Sequence, residues 1–209
     1  NCAVSQVIYG WRQADIQFGD YVVVQGAGGL GINAAASAKE MGAGRIIAID
    51  GQASRLHMAA QCGADHTIDI NEYDTPEARI GRVKELTDGR GADIVMEVVG
   101  YPQVVPEGIE MVRRGGTYVE IGNIWPKSNV TLDVSRILWG QVKIIPVTHY
   151  DPYILPVALD FLVRTKDRFP LTKVMSHSFP LEQIDEAFQQ AEWAGKNEET
   201  AVTRAFVRP

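Results

Sequence analysis

The segment 26–31 has the glycine spacing of a loop that cradles phosphate. It reads G-x-G-x-x-G, it follows a β-branched run at 21–25, and it precedes an alanine-rich stretch at 32–41. Between a strand and a helix, such a loop turns tightly and lets a pyrophosphate approach the backbone at the positive end of the helix. We therefore expect phosphate contacts from the backbone of Gly26, Gly28, Gly29, Leu30 and Gly31.

An acidic residue ends the next apolar run, at 45–50. Asp50 lies about 20 residues beyond the last glycine of the loop, where a carboxylate accepts hydrogen bonds from an adenosine ribose. A carboxylate at this position also repels the 2′-phosphate of NADP. The loop and Asp50 together predict a dinucleotide site that prefers NAD.

The rest of the chain alternates apolar runs with helical stretches, which predicts the elements that position these groups. Strands buried on both faces of a parallel sheet have continuous apolar runs, and the intervening stretches have helical periodicity. We expect strands at 21–25, 45–50, 66–70, 93–98, 116–121 and 142–147, and helices at 3–14, 32–41, 52–62, 76–87, 102–113 and 151–165. This order predicts an α/β Rossmann fold, a doubly wound parallel sheet of six strands with helices on both faces.

The remaining segments are shorter. The sequence predicts a short edge strand at 129–132 and then a strand, a helix and a strand at 173–179, 181–193 and 201–207. Gly115 and Gly116 are interpreted as the end of the preceding helix, because glycine takes a positive φ easily.

Composition excludes several classes of protein. The chain has 209 residues, 45% of them hydrophobic, and a net charge of −6, which argues against a nucleic-acid surface. No apolar run reaches the roughly 18 residues that a membrane helix needs. Two cysteines, Cys2 and Cys62, do not make a disulfide framework. A cytoplasmic protein without a membrane or nucleic-acid partner is expected.

Longer motifs resemble the medium-chain zinc-dependent alcohol dehydrogenases, of the medium-chain dehydrogenase/reductase superfamily. The resemblance covers nearly the whole chain and rests on the glycine loop and on the segments 50–56, 63–65, 91–100, 115–122 and 179–188. It implies hydride transfer between a small alcohol or carbonyl compound and NAD, with a zinc ion in the full-length enzyme.

The resemblance also implies a division of the chain. Residues 1–14 would be an interdomain helix, 15–148 the dinucleotide-binding domain, and 149–209 a segment returning to a GroES-like catalytic domain. That domain is absent from the sequence. We therefore expect a C-terminal fragment that is inactive by itself.

Further site residues are implied by the same resemblance. Arg55 would contact the adenosine ribose, and Arg204 a cofactor phosphate. The nicotinamide half would be lined by Val98, Val99, Gly100, Ile121, Gly122 and Asn123. These two stretches follow predicted strands, and ligands bind at the carboxyl ends of strands in such sheets.

The resemblance assigns a metal role to one residue, and one histidine is a weaker candidate for catalysis. Cys2 aligns with a ligand of the catalytic zinc, a site that needs three protein ligands, so the others would come from the absent domain. His149 is a candidate for a proton relay. Gln6 departs from the family, in which many members carry threonine near the nicotinamide.

Two alternatives stay open. One is a zinc-free quinone or enoyl reductase of the same superfamily that uses NADPH, although Asp50 and Glu97 favour the zinc branch. The other is a non-catalytic dinucleotide sensor, because a fold does not fix a function. A homodimer or higher homo-oligomer is expected, paired through the edge strand at 129–132.

Overall fold

Apolar, β-branched runs form the strands of a parallel sheet. The computed structural model describes residues 2–192 and 205–208. In this part of the chain the strands are β1 (Tyr21–Gln25), β2 (Arg45–Asp50), β3 (His66–Asp69), β4 (Ala92–Glu97), β5 (Val112–Glu120), β6 (Lys143–Pro146), β7 (His177–Pro180) and β8 (Ala205–Arg208).

Helices separate most of these strands, as the helical periodicity predicts. They are α1 (Cys2–Gln13), α2 (Gly29–Glu40), α3 (Ala53–Gln61), α4 (Pro76–Leu86), α5 (Val104–Met111), α6 (Val134–Gly140), α7 (Ile154–Thr165) and α8 (Ile184–Glu192). Helix α4 begins with a capping Thr75 side chain and a proline at its first position, both of which favour a helix start.

Six of the strands form one parallel sheet in the order β3-β2-β1-β4-β5-β6. The strand order reverses between β1 and β4, and loops leave this point toward opposite faces. A crevice therefore opens at the carboxyl ends of these two strands, where ligands of doubly wound sheets bind. The predicted fold is confirmed.

Alternate residues of the central strands pack on opposite faces. Val22 and Val24 of β1 share a core with α1, α2 and α3, whereas Val23 packs with α4 and α5. Because both faces are covered, the strand reads as an uninterrupted apolar run.

Helix α1 is fixed to the sheet at two points. The fully buried Trp11 donates from Nε1 to the carbonyl of Ala34 in α2 at 3.1 Å. Gln6 donates from Nε2 to the carbonyls of Val147 and Thr148, directly after β6, at 3.1 Å each. These contacts attach α1 to the glycine-loop helix and to the carboxyl edge of the sheet.

The chain after residue 149 covers α1 and then forms a separate small sheet. Phe161 of α7 belongs to an apolar cluster with Ile8 of α1 and Ile32 of α2. Strands β7 and β8 pair in parallel, and α8 packs on them. The assignment of 149–209 to another domain stays a prediction.

Several predicted boundaries are wrong. Residues 129–132 are not a strand, because no strand of the described chain pairs with them. The strand predicted at 173–179 starts only at His177, after a 3-10 turn at Leu171–Val174. Helix α5 ends at Met111, and β5 already begins at Val112, so the glycine pair at 115–116 lies inside a strand.

The final predicted strand is described only in part. It was predicted at 201–207 and is observed as β8, while 201–204 lie outside the described residues.

None of the helices in the described ranges combines the length and hydropathy that a membrane crossing needs.

Candidate functional site

The glycine loop leads directly into helix α2. The helix begins at Gly29, three residues before the predicted start, and no side chain caps it. A Cβ on Gly28 would meet no atom within 4 Å, so open space faces this turn. A Cβ on Gly31 would lie 1.8 Å from the carbonyl oxygen of Gly26, which explains why the last glycine is needed. The uncapped N–H groups are therefore accessible to an anion.

Asp50 connects the end of β2 to this loop. Its Oδ2 accepts a hydrogen bond from the backbone N–H of Ala27 at 2.7 Å, and its Oδ1 accepts from the N–H of Gln52 at 2.9 Å. Arg55 Nη1 lies 3.8 Å from Oδ2. The carboxylate is thus held in one orientation beside the glycine loop.

A cavity of about 530 Å³ opens next to Asp50. Its lining includes Gly26, Asp50, Arg55, Ile70, Val99 and Tyr101. A lining that combines apolar side chains with a charged pair suits a flat heterocycle attached to a polyhydroxy sugar.

The inner wall of this cavity carries a second ion pair. Arg79 donates to both carboxylate oxygens of Glu107 at 2.7 Å and to the carbonyl of Tyr73 at 2.8 Å. Both side chains of the pair are largely buried, and both line the cavity. The bidentate geometry fixes α4 against α5 next to the cavity.

The loops that follow β4 and β5 meet at the buried carboxylate of Glu97. Its Oε1 accepts from the N–H groups of Val99 at 2.5 Å and Gly100 at 2.7 Å. Its Oε2 accepts from the N–H of Gly122 at 2.9 Å and from Asn123 Nδ2 at 3.3 Å. One side chain therefore determines the spacing between the two stretches predicted to line the nicotinamide.

Close backbone contact accompanies this arrangement. A Cβ on Gly122 would lie 2.4 Å from the nitrogen of Gly100 and 2.6 Å from Oε2 of Glu97, so only glycine fits. Val98 and Ile121 continue the sheet, because their N–H groups donate to the carbonyls of Gln25 and Glu97.

The environment of Glu97 favours its protonated form. Burial raises the pKa of Glu97 to about 7, and the neighbouring Glu120 adds to this shift, against the effect of the backbone donors. Sequence reasoning missed this role. The available signal was an acid at the last position of each of two apolar strands, β4 and β5, that are neighbours in the sheet.

Cys2 is exposed at the start of α1, with its Sγ 3.9 Å from Oε1 of Gln6. Within the described residues no group of three or more His, Cys, Asp or Glu side chains could hold a metal ion. One thiolate does not make a catalytic zinc site, which needs three protein ligands. The residues present therefore do not by themselves fit zinc.

The two remaining predicted residues are less informative. His149 is exposed in the segment after β6, next to Thr148. Arg204 lies outside the described residues.

Comparison with known proteins agrees with this geometry. The chain matches the family described as zinc-binding dehydrogenase over residues 29–164. It is 36% identical over 173 residues to the erythritol/L-threitol dehydrogenase of Mycolicibacterium smegmatis, covering 83% of this chain and 46% of that protein. It is 34% identical over 185 residues to the sorbitol dehydrogenase of Mus musculus, covering 88% and 50%.

A solved structure supports the same assignment. The alcohol dehydrogenase from Thermotoga maritima superposes with a TM-score of 0.89 at 27% identity, over 100% of this chain and 55% of that one. The chain spans about half the length of the curated relatives it matches. With a family match over most of its length, the chain belongs to the zinc-binding dehydrogenase family.

Proposed function

We propose that this chain binds NAD and supplies the cofactor-binding half of an alcohol or polyol dehydrogenase. The observation that carries the proposal is the contact between Asp50 and the glycine loop at the rim of the 530 Å³ cavity. The relatives named as erythritol/L-threitol, sorbitol and alcohol dehydrogenases support the substrate class.

Each part of the site has a role in this proposal. The backbone of Gly28 to Gly31 and the start of α2 bind the pyrophosphate, and Asp50 accepts hydrogen bonds from the adenosine ribose. The cavity holds the adenine, with Arg55 beside the ribose. The loops joined by Glu97 position the nicotinamide ring. Arg204 is proposed to contact a phosphate.

The chain's own residues orient the cofactor and exclude water from it. Bound NAD supplies the chemistry, by accepting or returning a hydride at its nicotinamide ring. Cys2 is proposed as a single metal ligand whose partners belong to a further domain, and His149 as a proton-relay candidate. Cytoplasmic location and a homo-oligomer are part of the proposal.

Calorimetric titration with NADH and with NADPH tests it directly. We expect NADH to bind with at least about tenfold lower Kd, a difference of about 1.4 kcal/mol. A preference for NADPH would favour the quinone or enoyl reductase alternative. Binding of neither dinucleotide would reject the proposal.

Activity tests the enzymatic part. A full-length relative whose matching segment is replaced by residues 29–164 of this chain should oxidise polyols with NAD. NAD binding without any turnover in such a chimera, given that it folds, would favour the sensor alternative.

A further inference from the structure

Two acidic side chains lie next to each other at the carboxyl edge of the sheet. Glu97 and Glu120 are the last residues of β4 and β5 and are partners in register. The Glu97 side chain is fully buried, and Oε2 of Glu120 is buried as well. Two adjacent carboxylates shielded from water do not both ionise easily, so the pair favours holding one proton.

The surrounding donors leave one oxygen for that proton. Both oxygens of Glu97 accept from the loop N–H groups described above. Oε1 of Glu120 accepts from both the backbone nitrogen and Nδ2 of Asn123, each at 3.0 Å. Oε2 of Glu120 has no hydrogen-bond partner in the described structure. A proton placed between this oxygen and Glu97 would complete the hydrogen bonding of the pair.

We propose that Glu97 and Glu120 share one proton and act together as positioning residues, holding the loops after β4 and β5 at the spacing that the nicotinamide requires. The role toward the nicotinamide rests on the proposed function. The proton shared by Glu97 and Glu120 does not, because it involves only groups of this chain. Losing the proton places two negative charges side by side and drives the loops apart.

Of the other groups around the pair, two carry no proton for it and one is a neutral hydroxyl. Gln25 of β1 pairs with Glu97 and is uncharged. Glu107 of α5 is neutralised by its bidentate contact with Arg79 of α4. The hydroxyl of Tyr118 in β5 is buried close to Glu120, because burial, the charge of Glu120 and a side-chain interaction with Glu120 all raise the pKa of Tyr118. This hydroxyl is therefore the alternative donor to Glu120.

The pKa of Glu97 supports the geometry. Burial and Glu120 raise it to about 7, so the pair holds its proton in mildly acidic solution and loses it above neutrality. NADH is the appropriate probe because its nicotinamide ring is uncharged. The pH dependence of its binding then reports the loop spacing and not an attraction between the ring and the carboxylates.

The first experiment measures the Kd of NADH from about pH 6 to about pH 8.5 in the 209-residue chain. For the wild type we expect Kd to rise above neutral pH, approaching tenfold per pH unit, the slope for one linked proton. Glu120→Gln should bind equally well across this range, because its amide N–H donates to Glu97 at any pH. Glu97→Gln should bind weakly throughout, because its amide would face loop N–H groups.

Tyr118→Phe separates the shared proton from the nearby hydroxyl. We expect this variant to keep the pH dependence of the wild type, because the proton lies between the two carboxyls. Loss of the dependence in Tyr118→Phe would assign the missing donor to the hydroxyl and overturn the proposal.

A second readout does not depend on nucleotide. Carbon-13 NMR of the glutamate carboxyl carbons should show a titration near pH 7 in the wild type that is absent from Glu120→Gln. If this titration is present but NADH does not bind at any pH, the proposed function fails and the shared proton stands. If NADH binds with constant Kd and no carboxyl titrates near neutrality, the shared proton is refuted. The NMR result keeps this test decisive even if Glu97→Gln does not fold.

Discussion

The carboxylate of Asp50 accepts a hydrogen bond from the backbone N–H of Ala27 at 2.7 Å, so the acid that ends β2 also fixes the glycine loop that follows β1. Asp50 therefore has two functions in the proposed site. It orients the glycine loop through the bond to Ala27. It also lines the cavity, where its remaining lone pairs can accept hydrogen bonds from the proposed ribose.

Asp50→Asn should weaken NADH binding by about tenfold to a hundredfold. The substitution removes the charge from the hydrogen bonds to Ala27 and to the ribose, and bonds to charged groups contribute about 1.5–3 kcal/mol. It should also narrow the preference for NADH over NADPH, because the 2′-phosphate no longer meets a carboxylate. Isothermal calorimetry with both cofactors checks this. Asp160→Asn, an exposed residue of α7, is the matched control and should change neither Kd.

Two glycine substitutions in the loop should have different effects. Gly28→Ala places its methyl group in open space, so the melting temperature should not change. The affinity for NADH should fall, because the methyl group would obstruct the phosphates of the bound cofactor. Gly31→Ala forces a methyl group onto the carbonyl of Gly26. It should cost about 1–3 kcal/mol of stability, or about 3–10 °C in melting temperature.

Thermal unfolding and NADH titration of both variants test this contrast. Equal loss of stability in Gly28→Ala would mean that the space beside the loop is needed by the protein itself. That result would contradict its assignment to a ligand.

Asp93 should stabilise the fold in a pH-dependent way. Burial opposes its ionisation, but hydrogen bonds from Arg113 and the N–H of Tyr21, with the charge of Arg90, hold the pKa of Asp93 below its usual value. Because the folded pKa is depressed, the contribution is present above the unfolded value of about 3.9 and is lost as pH falls through the folded pKa.

Asp93→Asn should therefore lower the free energy of unfolding at pH 7 by about 1–3 kcal/mol and have a much smaller effect in strong acid. Urea denaturation of wild type and variant across the acid range measures the difference. A destabilisation that does not change with pH would attribute the effect to packing and not to charge.

Exposed apolar side chains between β5 and β6 should mediate self-association. They are Ile124, Trp125, Val134, Leu138 and Trp139, with the two tryptophans 73% and 75% exposed. Exposed apolar surface of this kind marks contact sites, and the chain segment that carries it leads into β6, an edge strand of the sheet. Trp139→Lys should shift a dimer toward monomer in sedimentation velocity. A wild-type chain that stays monomeric at micromolar concentration would contradict this prediction.

The core of the fold could be predicted from the sequence. The runs at 21–25 and 45–50 coincide with β1 and β2 as observed, because the inner positions of strands covered on both faces are continuously apolar. The place of the glycine loop before α2 and of Asp50 at the end of β2 also follows from the sequence, since their spacing is local in the chain. Their role in binding a dinucleotide stays a prediction.

Features that depend on distant contacts were not predicted. Gly115 and Gly116 were interpreted as a helix end, yet a Cβ on Gly116 would lie 2.7 Å from the carbonyl oxygen of Asp93 in β4, a neighbour that the sequence does not reveal. The environment of Glu97 was missed for the same reason, because its donors come from two loops separated by the whole of α5 and β5.

The attachment of α1 through Trp11 has a mechanical consequence. Helix α2 carries the glycine loop at one end and accepts a hydrogen bond from the indole of Trp11 along its length, while Gln6 links α1 to the chain after β6. Cys2, on α1, is therefore attached to the same group of packed helices as the glycine loop. A mutation that tilts α2 would displace the thiol and the glycine loop together, so the packing of α1 on α2 sets their relative position.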